Sequence, residues 1–138
     1  MSKHVITIEA IVNKPIDTVW ECWIKPEHIT KWCFASDDWH APSSTSDFKV
    51  GGKISTRMEA KDGSFGFDFW GIYNDIKANE KVGVVLGDDR KWDTYFWVVN
   101  GGVKVVEEFE AESENPIEMQ QAGWQMILNN FKKYVESL

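Results

Sequence analysis

The chain has 138 residues, 43% of them hydrophobic and 27% charged, the proportions of one globular domain large enough to bury a core without staples. Its net charge of −7, without a Lys/Arg cluster, argues against nucleic acid and anionic membranes as partners, because phosphate neutralisation needs a basic face. No apolar run approaches the ~20 residues that span a bilayer, and the N-terminal MSKHVITIEA carries no signal-peptide core, so a cytoplasmic protein with reduced Cys22 and Cys33 is expected.

Residues 4–12, HVITIEAIV, are β-branched and apolar and predict a first strand. Pro15 opens a short helix, PIDTVWECWI, whose Ile16, Val19, Trp20 and Trp23 share a face. Pro26 starts a second, PEHITKW. Residues 33–47 mix aromatics with Ser, Asp and Pro and predict a loop leading into a short strand around Ser46–Val50.

Beyond Gly51-Gly52, residues 53–60 alternate with Ile54, Thr56, Met58 and Ala60 on one side, and Lys61-Asp62-Gly63-Ser64 signals a hairpin. The next strand, FGFDFWGIYNDI, has Phe65, Phe67, Phe69 and Tyr73 on one face and Trp70, Ile72 and Ile76 on the other; Gly71 suggests a bend or bulge. Strands over 81–86, 91–99 and 103–111 follow, separated by Gly87-Asp88-Asp89-Arg90 and Asn100-Gly101-Gly102. The last element, Pro116 to Leu138, is an amphipathic helix with Trp124, Ile127, Leu128, Phe131, Tyr134, Val135 and Leu138 in one stripe. At ~1.5 Å per residue it spans ~34 Å, the length of a strand of about ten residues. Successive hairpins with segregated helices make an α+β fold.

This order, with Pro15…Val19-Trp20…Trp23, Pro26-Glu27-His28-Ile29…Trp32, Gly51-Gly52-Lys53, Asp62-Gly63, Phe69-Trp70-Gly71-Ile72-Tyr73, Asn100-Gly101-Gly102 and Gly123-Trp124, resembles the START-like or SRPBCC superfamily. More closely, it resembles the branch related to the C-terminal domain of the heat-shock-protein-90 ATPase activator. The resemblance implies a helix-grip fold: a curved seven-stranded antiparallel sheet wrapped on the C-terminal helix, with a hydrophobic cavity between them. It does not imply one activity, because the superfamily includes ligand binders, cyclases and chaperone-binding domains. Two departures stand out. The family usually has a second Trp after the one matching Trp32, where this chain has Cys33-Phe34-Ala35, and an apolar residue where this chain has Glu107.

No motif implies a cofactor or a catalytic nucleophile. Cys22, His28, Cys33 and His40 are separated by 5, 4 and 6 residues, far from the tight pairs of zinc sites, and no metal is expected. His40 belongs either to a solvated loop or to a cavity mouth. In a regular strand Glu107 points with Val103, Val105 and Phe109; a bulge would turn it outward instead. Gln120 and Gly123 interrupt the helix stripe, which fits either a cavity wall or fraying into solvent. A second row on the helix, Met119, Ala122 and Met126, suggests a homodimer surface.

The leading expectation is a non-catalytic protein that binds a small apolar or aromatic molecule. The expected lining is Trp39, Met58, Phe69, Tyr73, Trp97, Phe109, Trp124 and Leu128, with Glu107 and Gln120 as polar exceptions. A regulator of a chaperone ATPase is the second reading. A cyclase- or hydrolase-like enzyme using Glu107 or His40 is the third.

Overall fold

The computed structural model describes residues 4–138; the first three residues, the head of the stretch read for a signal core, lie outside them. In chain order the elements are β1 (Val5–Val12), α1 (Ile16–Ile24), α2 (Pro26–Ile29), β2 (Trp39–Ser46), β3 (Lys53–Ala60), β4 (Gly66–Lys77), β5 (Lys81–Leu86), β6 (Lys91–Val99), β7 (Gly102–Glu110) and α3 (Ile117–Glu136). The seven strands form one antiparallel sheet in the order β1-β7-β6-β5-β4-β3-β2. Strands β2 to β7 are consecutive neighbours, and β1 pairs with β7 from the other side. The sheet curves around α3 in the helix-grip arrangement. Among the described residues no helix is long and apolar enough to cross a membrane.

The core lies where α3 and α1 meet the inner sheet face. Leu128, Phe131 and Val135 of α3 are fully buried, as are Val12, Val103, Val105 and Phe109 of the sheet. Phe131 stands edge-on to Trp23 at 4.9 Å and to Trp32 at 4.8 Å, so one helix residue joins α1, the segment after α2 and α3. Leu138, placed in the stripe by its spacing, lies past the helix end and is exposed.

The other differences from expectation sit in the sheet. β2 runs Trp39–Ser46, upstream of the expected Ser46–Val50. Its polar WHAPSSTS hides it from pattern reading. As an edge strand it needs only one pairing, and Pro42 falls where the register shifts between His40 and Ser43. Its hydroxyls bond inward instead: Ser44 with Thr56 at 3.0 Å and Ser46 with Tyr73 at 2.8 Å. In β4 the bulge falls between Tyr73 and Asp75, not at Gly71. The extra residue reverses the alternation, so Ile76 pairs with buried Val82 and packs against the core rather than outward with Trp70. Gly71 answers a different need: a Cβ there would come within 2.5 Å of the Val84 side chain.

In β6 the inner face belongs to Trp92, Thr94 and Phe96, which pair with Phe109, Glu107 and Val105. Trp97 therefore lies on the outer face opposite Lys104, with 58% of its surface exposed. The run Tyr95-Phe96-Trp97 offers no apolar–polar alternation from which to choose a face. The two aromatics should respond differently to truncation. Phe131→Ala is expected to cost about 3–5 kcal/mol in urea unfolding, the range for large buried aromatics. Trp97→Ala should stay within about 1 kcal/mol of the parent, as an exposed substitution does. Equal costs would contradict this register.

Candidate functional site

Between the first half of α3 and the inner face of β3, β4, β6 and β7 the packing is incomplete. A cavity of about 280 Å³ lies there, walled by Trp23, Trp32, Trp92, Trp124, Phe67, Phe69, Met58 and Ile127, with Cys33 and Glu107 inside and Arg90, Glu112, Asn115 and Gln120 toward its rim. It adjoins a more open space of about 370 Å³ bordered by Trp39, Ala35, Ser36, Met119 and Gly123. The two share Met58, Phe67, Asn115, Gln120, Trp124 and Ile127, so the outer space serves as a vestibule.

Glu107 is the chemical feature of the inner cavity. The β7 register is regular at this point: Glu107 pairs with Ile8 and Thr94, both buried. Its side chain therefore points inward and is 3% exposed. The Trp92 indole N–H donates to one carboxyl oxygen at 2.9 Å. The other oxygen has no protein partner among the described residues. Burial pushes the carboxyl up to about 8, and the Trp92 hydrogen bond only partly opposes that. Cys33, on the same wall, is pushed up to about 12, first by burial and then by the neighbouring Glu107 charge. It is a neutral thiol with no nucleophilic character at ordinary pH.

The rim is held by Gln120. Its side-chain oxygen accepts the Glu112 N–H at 2.9 Å, and its amide nitrogen donates to the Glu112 carbonyl at 3.0 Å and the Asn115 carbonyl at 2.8 Å. The amide thus clips the linker between β7 and α3 onto the helix. Both its N–H groups are used, which leaves it little to offer a ligand. Glu112 in turn accepts from the backbone and side chain of Asn115, at 2.8 and 3.1 Å. Arg90 is bound to Asp88 at 2.6 Å and donates to the Glu110 carbonyl at 3.3 Å.

Of the residues expected to line a site, Met58, Phe69, Glu107, Gln120 and Trp124 border the inner cavity and Trp39 borders the vestibule. Four do not border either space. Phe109 stacks beneath Trp124 at 3.9 Å and 12°, supporting the wall from behind. Leu128 is fully buried in the core one turn below Trp124. Tyr73 edges a smaller apolar void of about 40 Å³ on the far side of Trp23, Trp32, Cys33, Phe69 and Trp92, and is tied to Ser46. Trp97 is on the outer sheet face.

Sequence reading missed Trp23, Trp32, Cys33, Phe67, Arg90, Trp92, Glu112, Asn115 and Ile127. Trp92 could have been found. The turn at Asn100-Gly101 pairs Val99 with Gly102, and counting back from it sets Trp92 opposite Phe109. The histidines stand apart from the cavity. His28 Nδ1 lies 2.7 Å from the Tyr134 hydroxyl, and His40 lies 3.8 Å from Glu59. Among the described residues no three His, Cys, Asp or Glu side chains converge on a point that could hold a metal ion.

The profile of the Activator of Hsp90 ATPase homolog 1-like protein family matches residues 13–136. The chain belongs to that family. It is similar to the AHSA1-like protein of Aeromonas hydrophila, known from a solution NMR structure, with 44% identity, a TM-score of 0.92, and 97% of this chain and 93% of that one covered. A Cytophaga hutchinsonii protein, also solved in solution, is 46% identical with a TM-score of 0.82, over 96% of this chain and 92% of that one. A Nitrosomonas europaea protein at 13% identity and TM-score 0.82, over 96% and 94% of the two chains, shares the fold. No curated protein matches the chain.

The carboxyl of Glu107 gives a pH signature. Its folded value of about 8 lies above its ordinary 4.5, so the native state holds the proton more tightly than the unfolded chain. That contribution to stability is complete below about 4.5 and is lost as pH rises through about 8. Urea unfolding of the parent and of Glu107→Gln, which keeps an acceptor for Trp92, should show the parent losing stability relative to the variant across that window. A constant difference would mean that the carboxyl is not desolvated.

Proposed function

We propose that the chain acts as one non-catalytic domain that binds a small molecule with an apolar or aromatic body between the sheet and the first half of α3. The observation that carries this reading is the aromatic-lined cavity of about 280 Å³, open toward the vestibule, above a core whose Leu128, Phe131 and Val135 are fully buried. Protein cores contain few voids larger than a water, so a recess of this size is not a gap of ordinary core packing. Four Trp and two Phe on its walls give a flat apolar ligand large contact area on rings that packing already holds in place. One unpartnered carboxyl oxygen supplies orientation. A catalytic role would call for a second titratable group facing Glu107 across the cavity. The nearest, Cys33, is held neutral.

The family description supports a second reading, an interaction module for a heat-shock ATPase. Phe65 and Met119, each 62% exposed near the vestibule, are the surface features that favour it. The exposed Met119 and Met126 also keep a homodimer among the proposals; a monomeric mass in sedimentation over a wide concentration range would remove it.

Ligand entry should change the emission of the wall tryptophans. With N-phenyl-1-naphthylamine as a neutral aromatic probe, saturable energy transfer from Trp is expected. Ile127→Trp, which puts a ring into both the cavity and its vestibule, should weaken probe affinity ~10-fold or more by removing space. Trp97→Ala should leave affinity unchanged. Undiminished binding to the Ile127→Trp protein would place the probe elsewhere and sink the proposal.

A further inference from the structure

Three of the cavity's rings meet at one corner. Trp92 and Trp124 stand 5.4 Å apart with planes at 79°, Phe69 and Trp124 5.7 Å apart at 77°, and Phe69 and Trp92 5.5 Å apart at 53°. All three border the cavity. At these separations the rings pack against one another, edge to face or tilted, and together form one aromatic wall of the cavity. Each face carries the negative end of the ring quadrupole.

Glu107 sits at the same corner, held to Trp92 through one oxygen. Among the described residues no Lys or Arg is paired with it. Of the residues lining the inner cavity, Arg90 alone is cationic, and it is occupied by the Asp88 carboxylate and the Glu110 carbonyl. The other titratable groups on the walls are Cys33, which stays neutral, and Glu112, a second carboxylate at the rim. Besides Glu112, the polar groups that the linker and α3 contribute are the amides of Asn115 and Gln120. An acidic chain with net charge −7 adds a favourable long-range field for a positive ligand.

We propose that the inner cavity takes a compact organic cation, an ammonium carrying an apolar body, with its charge at Glu107 and its alkyl or aryl groups against Trp92, Trp124 and Phe69. This deepens the ligand-binding reading and rests on it. The protein then lacks a counter-ion for Glu107 because the ligand is the counter-ion. In the empty protein the carboxyl keeps its proton up to about pH 8. A bound cation favours the carboxylate, so the O–H bond breaks and one proton leaves to solvent as the ion pair forms. Affinity for the cation therefore rises with pH until the empty site itself ionises. A neutral ligand that accepts a hydrogen bond from the protonated carboxyl behaves oppositely.

The test uses two probes of nearly equal shape, phenyltrimethylammonium and its neutral carbon analogue tert-butylbenzene. Each is titrated into the protein by Trp fluorescence at several pH values from about 5 to about 9, a range that brackets the carboxyl's transition. The ammonium is expected to bind ~10-fold or more tighter than the neutral probe at about pH 8. Its affinity should fall by ~10-fold for each pH unit below that. The neutral probe should show no such slope. Glu107→Gln should reduce ammonium affinity to the neutral level or below; the pH profile of the parent protein carries the test if that variant does not fold. Equal or better binding of tert-butylbenzene, without a pH slope for the ammonium, would overturn the cation and leave the ligand site standing. Failure of both probes would overturn both.

Discussion

The register on the two sides of β7 is the constraint from which the rest follows. β7 is hydrogen-bonded to β1 on one edge and β6 on the other, without a bulge on either. Alternation then leaves no choice of face: Val103, Val105, Glu107 and Phe109 all point at α3. Three of these are fully buried and make the floor under the helix. The fourth is a carboxyl. Moving it out would need a one-residue slip, which would also send Phe109 and two valines to solvent. The apolar members of the strand thus hold the polar one inside, and the aromatic residues around Glu107 occupy a space that its neighbours could not close.

The same constraint divides α3. Below Trp124 the helix meets sheet residues that fill their space, and Leu128, Phe131 and Val135 are sealed. At and above Trp124 it faces Glu107, Phe69 and Trp92 across the cavity. A helix N-terminus over a void would tend to fray, because its first N–H groups lack helical partners. Pro116 removes one such group, and the Gln120 clip fixes the linker that precedes it. Gln120 is buried for that purpose. Its place in the apolar stripe reflects support of the cavity rim rather than contact with a ligand.

Much of this was legible in the residues. The strand–helix–helix–hairpin order, the long terminal helix and the change in its stripe at Gly123-Trp124 follow from periodicity and turn chemistry. The inward direction of Glu107 was one of two readings, and pairing on both sides of β7 decides it. What escaped did so for identifiable reasons. β2 is an edge strand whose hydroxyls replace apolar contacts, so it has no pattern to read. Trp97 follows two other aromatics, and a run of three rings carries no parity. Ile76 changes face because of a bulge that leaves no mark beyond Asn74-Asp75. Trp23 and Trp32 reach the cavity from α1 and the segment after α2, and sequence spacing does not report how those short helices sit on the sheet.

A buried carboxyl that keeps its proton up to about pH 8 works against folding at neutral pH and above. The unfolded chain ionises it freely in water, whereas the folded chain must hold the proton or bury a charge. An apolar residue at this position would remove that cost, and a basic partner nearby would offset it. Neither is present: the cavity retains the carboxyl, gives it one indole N–H, and leaves its second oxygen facing open space. Trp92, Trp124 and Phe69 are braced against one another and Phe109 is stacked behind Trp124, so the rings are not free to collapse onto Glu107. A carboxyl that is costly to ionise, an oxygen without a protein partner and a wall of braced rings meet at one point. A ligand that fills the recess and meets that oxygen gains contact area and a polar interaction without rearranging the wall, which is the physical case for proposing a binding site at this corner.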